Sequence, residues 1–119
     1  MKFKTPLLII CSCFVLQASA GTVQLGASLD SVTVVGPTAF GHQAGNVEIK
    51  VTNGFSSPSL SCDSNYITTK NSVPNYKEML TMLLAAQLAN RPVVLGITDD
   101  PSLTAFGGRC SLVSVGIVK

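Results

Sequence analysis

Two prolines, Pro74 and Pro92, bracket the stretch that most constrains this chain. Between them Tyr76, Met79, Leu80, Leu83, Leu84 and Leu88 recur at helical spacing, which predicts an amphipathic helix over about Asn75–Asn90. Asn75 is a favourable N-cap, and Glu78 three places on completes a capping-box pattern. Asn90 suits the C-terminal cap, and Pro92 cannot continue the helix. The side opposite the leucines carries Thr81, Met82, Ala85, Ala86 and Ala89 rather than charge. Lys77 and Glu78, both in the first turn, are the helix's only charges before Arg91. A helix with so little polar surface needs cover on a second side, from a curved sheet or from another copy of the chain. Thr81, Met82, Ala85, Ala86 and Ala89 are therefore the candidate oligomer interface.

The first twenty residues predict a compartment. Lys2 and Lys4 precede an apolar run from Leu7 to Leu16, and Ala18-Ser19-Ala20 supplies small residues ahead of Gly21. That is the layout of a secretory signal peptide over residues 1–20. The apolar run is well short of the roughly 20 residues a membrane span needs. The expectation is an exported, periplasmic or secreted protein with no integral membrane segment after cleavage, and a single domain over residues 21–119. Without Lys2 and Lys4, six basic residues (Lys50, Lys70, Lys77, Arg91, Arg109, Lys119) face six acidic ones (Asp30, Glu48, Asp63, Glu78, Asp99, Asp100). A balanced charge with no run of one sign argues against a nucleic-acid partner or a charge-held membrane surface.

Export leaves Cys62 and Cys110 as the cysteines of the domain. An oxidising compartment favours a bridge between them. Two free thiols or an intermolecular bridge are the rival readings. Two cysteines and the single His42 are too few for a zinc site, so neither a metal nor a cofactor is expected.

The rest of the chain reads as strands and turns. Val23, Leu25, Ala27 and Leu29 alternate with polar or small residues. The phase then shifts to Val32 and Val34, which predicts a bulge near Asp30-Ser31. Val47, Ile49 and Val51 form the cleanest alternating strand, and Asn53-Gly54 after it is a tight-turn signal. Tyr66–Thr69 predicts a short strand, Val93–Ile97 another, and Cys110–Val118 a last one with Val113, Val115 and Ile117 on one face. Loops cover Thr38–Asn46 and Ser102–Arg109. The expected fold is mainly β with one helix (α+β): a small, highly curved barrel capped by that helix, for which the oligomer/oligosaccharide-binding (OB) fold is the commonest design. A two-layer sandwich is the alternative.

Chemistry is sparse. No Gly-x-Ser-x-Gly elbow and no phosphate loop is present. Asp99-Asp100 is the one adjacent carboxylate pair, and it sits where a turn is expected. A small hydrolase built on Asp99, Asp100 and His42 is the weakest of the function classes, and no catalytic residue is assigned.

Several parts together resemble the B subunits of AB5 toxins of the pertussis-like and subtilase type. These are the signal peptide, Cys62 ahead of Tyr66-Ile67-Thr68, the Tyr76-Lys77-Glu78-Met79-Leu80 helix start, Arg91-Pro92-Val93-Val94-Leu95, and Arg109-Cys110. The resemblance implies an OB fold, a homo-pentamer with helices around a central pore, cell-surface glycan binding and an exported A-chain partner. Those glycan binders use aromatic platforms, whereas this chain has no Trp. Phe55, Tyr66, Phe106 and His42 are the candidate ligand-binding residues. The alternative is a monomeric periplasmic or secreted inhibitor or accessory protein that inserts Thr38–Asn46 or Ser102–Arg109 into a partner.

Overall fold

The computed structural model describes residues 20–119. The signal-peptide expectation, apart from Ala20, lies outside the described residues. The domain is mainly β, with a six-stranded sheet, one α-helix and one disulfide. The strands are β1 (Thr22–Ala27), β2 (Leu29–Val34), β3 (Val47–Val51), β4 (Tyr66–Thr69), β5 (Val93–Thr98) and β6 (Cys110–Ile117). Helix α1 spans Tyr76–Leu88, and a short 3-10 turn spans Pro101–Leu103.

The sheet order is β1-β5-β6-β4-β3-β2, with β4 and β6 parallel and the other pairs antiparallel. The two outer strands, β1 and β2, are consecutive in sequence and separated by Ser28 alone. A single residue cannot span a flat sheet, at roughly 3.3–3.6 Å of chain per residue. The sheet must therefore curl until its edges meet along one continuous run of chain. The sheet is nevertheless not closed, since no ladder pairs β1 with β2. Curvature is as the sequence pattern predicts, whereas closure of the barrel is absent.

The expected bulge lies where the hydrophobic phase changes: the β2–β3 register shifts between Leu29 and Ser31. A second irregularity corrects the reading of the last strand. The β5–β6 register shifts between Gly96 and Ile97, so Ser114 opposes Gly96 while Leu112 opposes Ile97. Val113 is thrown outward, Leu112 and Val115 both pack on the core, and Ile117 is exposed. Asn53-Gly54 turns as expected, both at positive φ, with Gly54 N donating to Val51 O. The partner strand arrives only at Tyr66, after the excursion that carries Cys62.

Val47, Ile49, Ile67, Leu83, Val93, Leu95, Ile97 and Leu112 form the centre of the core. The disulfide joins the segment before β4 to the first residue of β6, and Ile67 pairs with Cys110 in the parallel ladder. It thus pins the one parallel strand pair of the sheet, which a tight turn cannot connect.

Helix α1 lies against β2 and β6, with Met79, Leu83 and Ala86 buried. Two expectations change here. Asn75 is left-handed (φ 59°) and makes no side-chain cap bond, so the capping box does not form. The C-terminal end keeps its expected cap: Asn90 is left-handed (φ 52°), Arg91 N donates to Ala86 O and Asn90 N to Gln87 O, the Schellman pattern. The helix is also rotated from the predicted setting. Leu84 is exposed and Leu88 is 89% exposed, whereas Ala86, a candidate interface residue, is fully buried. Alanine at the contact line lets the helix approach the sheet closely, which turns the flanking leucines outward. Thr81, Ala85 and Ala89 are exposed and Met82 is half-buried.

Candidate functional site

The loop between β2 and β3 and the loop before β6 meet at one end of the sheet. Asn46, itself buried, donates from Nδ2 to Ala105 O across the two loops (3.3 Å). Glu48, on β3, and Arg109, just before β6, form an ion pair, with each side chain 20% exposed. His42 Nε2 lies 2.8 Å from Glu48 Oε2 and 3.3 Å from Arg109 Nη1. With its proton on Nε2, His42 donates to Glu48, and Arg109 donates to the same oxygen. His42 Nδ1 is then a buried lone pair without a partner.

Aromatic rings close over this cluster. The Arg109 guanidinium sits 4.1 Å from the Phe106 centroid and 4.5 Å from the Tyr66 centroid, both cation–π distances. The His42 ring lies 4.5 Å from the Phe106 ring. Gly41 makes the approach feasible, since a Cβ there would stand 2.8 Å from Phe106 Cε2. Charge, ring and backbone thus fasten the two loops to each other and to β3.

Three of the residues named as ligand-binding candidates, His42, Tyr66 and Phe106, are brought together here, and Phe55 is not. His42 is buried rather than offered to a ligand, Tyr66 and Phe106 give ring faces to Arg109, and Phe55 packs against the core. Glu48 and Arg109 complete the cluster. The signal for Glu48 lay in its being the one acid on an alternating β3.

The exposed aromatic is Phe40. It is 96% exposed, and every other aromatic among the described residues is at least half-buried. Ala39 and His42 bond to each other through both backbone pairs, so Phe40-Gly41 is a two-residue hairpin turn, at φ 53° and 84°. Such turns need positive φ at both central residues and are usually built from Asn and Gly. A bulky phenylalanine in the left-handed region costs about 1 kcal/mol or more. The tip therefore carries an apolar ring that neither packing nor backbone preference accounts for.

Clefts and the remaining carboxylates offer less. A cleft of about 560 Å³ opens at the β1–β2 junction, between Gly26–Ser28, Val51–Gly54 and Pro92–Val94, and holds no titratable side chain. Asp100 accepts from Ser102 N at 2.9 Å, capping the 3-10 turn, and that bond holds its carboxyl below the usual carboxylate range. Asp99 bonds backbone nitrogens of Gly21 and Ser61. The two acids thus serve separate turns, and neither reaches His42, whose Nε2 contacts are Glu48 and Arg109. Among the described residues no cluster of His, Cys, Asp and Glu could hold a metal ion, and no helix is long and apolar enough to cross a membrane. Comparison with family models, with curated proteins and with solved structures finds no match for the chain.

Proposed function

We propose that this chain is an exported, non-catalytic binding module of the OB type that grips its ligand with the Phe40 hairpin. The observation that carries the reading is a fully exposed ring on a conformationally costly turn, anchored at its base by His42, Glu48, Arg109 and Phe106. A rigid base lowers the ordering entropy that a ligand contact must overcome. The strand order supports the barrel: with β1 and β2 taken as one bent strand, the sheet has the five strands of a partly open OB barrel. The helix then falls between the third and fourth. Resemblance to AB5 B subunits supplies the ligand class, a cell-surface glycan whose C–H face would stack on Phe40.

Phe40→Gly tests the reading. Glycine relieves the positive φ, so the variant melts at or above the wild-type temperature, while glycan-array signal falls about tenfold or more, as loss of an aromatic hot spot predicts. A silent array with the wild-type protein removes the glycan. Binding that survives Phe40→Gly removes the hairpin from the site.

Assembly is the second part of the proposal, and the outer side of α1 favours it. Leu84 and Leu88 stand exposed beside Thr81, Ala85 and Ala89. Light scattering on the mature chain is expected to give an oligomer, a homo-pentamer by resemblance, that Leu84→Asp with Leu88→Asp splits. A clean monomer at micromolar concentration ends the pentamer and favours the monomeric accessory protein that inserts the same hairpin into a partner.

A further inference from the structure

Gly21 is held at both of its backbone polar groups. Its nitrogen donates to Asp99 Oδ1 at 2.9 Å, and its carbonyl accepts from Thr98 Oγ1 at 2.8 Å and from Asp99 N at 3.4 Å. The other carboxylate oxygen, Asp99 Oδ2, accepts from Ser61 N at 3.2 Å. A Cβ at position 21 would stand 2.9 Å from Leu60 Cδ2, and Leu60 is itself buried, so the position favours a residue without a side chain. Thr22 then enters the sheet opposite Thr98. Ala20, the residue before, is exposed.

Gly21 also follows Ala18-Ser19-Ala20, the small residues that a signal peptidase reads. We propose that Asp99 is the receptor for the α-ammonium of Gly21 created by cleavage after Ala20. The cut is a hydrolysis: water gives its hydroxyl to the Ala20 carbonyl and a proton to the Gly21 nitrogen, which takes up a second proton at neutral pH. The neutral amide N–H at Asp99 thereby becomes a cation at the same place. A charge-assisted bond of this kind is roughly twice as strong as a neutral one. The uncut chain has the weaker contact, so removal of the leader tightens the fold at the β1–β5 edge. Among the described residues, every strand, the helix and the disulfide lie within residues 21–119, so the chain starting at Gly21 keeps them all. The proposal rests on the cut after Ala20 and is independent of what Phe40 binds.

The test compares the chain starting at Gly21 with a free amine, the same chain N-acetylated, and the chain starting at Ala20, each with Asp99 and with Asp99→Asn. The free-amine chain is expected to melt about 5 °C above the acetylated one at neutral pH. That gap should close in Asp99→Asn. Equal melting of the free and acetylated chains, or a gap that persists in Asp99→Asn, overturns the proposal. Because Asp99 also bonds Ser61 N, a second measurement uses the wild-type mature chain alone. Trace acetylation of the Gly21 amine should run about tenfold slower in the folded protein than in urea, because the charge-assisted bond to Asp99 holds the amine in its protonated, unreactive form. Equal rates, or a mature N-terminus other than Gly21, overturn it while leaving the ligand reading intact.

Discussion

Replacing Cys62 and Cys110 together by alanine is expected to lower the unfolding free energy by about 4 kcal/mol, as the entropy of a loop with a sequence separation of 48 implies. A small domain has roughly 5–15 kcal/mol in total, so this is a large share of its stability. The physical reason lies in the topology. β4 and β6 run parallel through a short ladder, Ile67 with Cys110 and Thr68 with Ser111, and parallel strands cannot be joined by a tight turn. The bridge ties them directly, and alanine at the buried Cys110 adds no polar group to the interior. Urea unfolding of the oxidised protein and the double variant measures the difference. A loss under about 1 kcal/mol would mean that the unfolded chain is already compact around this crossing. Arg109 adjoins Cys110, so the variant should also loosen the end of the sheet that carries the Phe40 hairpin.

Arg109→Ala is expected to cost about 2 kcal/mol. Breaking a fully buried ion pair costs about 3–5 kcal/mol, and the 20% exposure of both side chains lets water recover part of that. Glu48 would lose its cation, and Tyr66 and Phe106 would lose the guanidinium against their faces. Arg109→Lys keeps the charge but not the planar group that lies against two rings, so less than half of the loss should return. Hydrogen exchange separates this from a general softening. Amides of Ala39 and His42, which close the hairpin on each other, should exchange faster in Arg109→Ala, while the centre of β5 changes only with global stability. Unchanged exchange at the hairpin would mean that the cluster does not hold it.

Much of the local structure was legible because local chemistry causes it. β3 alternates because one side faces the core, and Asn53-Gly54 turns because both residues tolerate positive φ. The phase slip after Leu29 marked a real bulge. The capping-box pattern does not decide the entry of α1, because asparagine also suits a left-handed backbone, which Asn75 adopts. Phe40 was missed for the opposite reason: nothing in its neighbours distinguishes a loop phenylalanine bound for the core from one left in solvent. His42, Tyr66 and Phe106 lie far apart in sequence. Their joining depends on two loops meeting, and Arg109 lies 61 residues from Glu48.

Taken alone, the sequence determined a mainly β domain with one helix, a bent first strand and a candidate bridge between its two cysteines. Periodicity, turn residues and cysteine number are properties of neighbours along the chain, so they can be read without a fold. The tertiary structure alone decided which side of α1 is buried. Apolar residues surround most of that helix, so several rotations bury similar area, and the small Ala86 at the sheet contact selects among them. It alone also decided that the sheet curls without closing, that a charge–aromatic cluster anchors an exposed Phe40, and that Asp99 faces Gly21. Each of those depends on residues distant in sequence meeting in space, which no local pattern encodes.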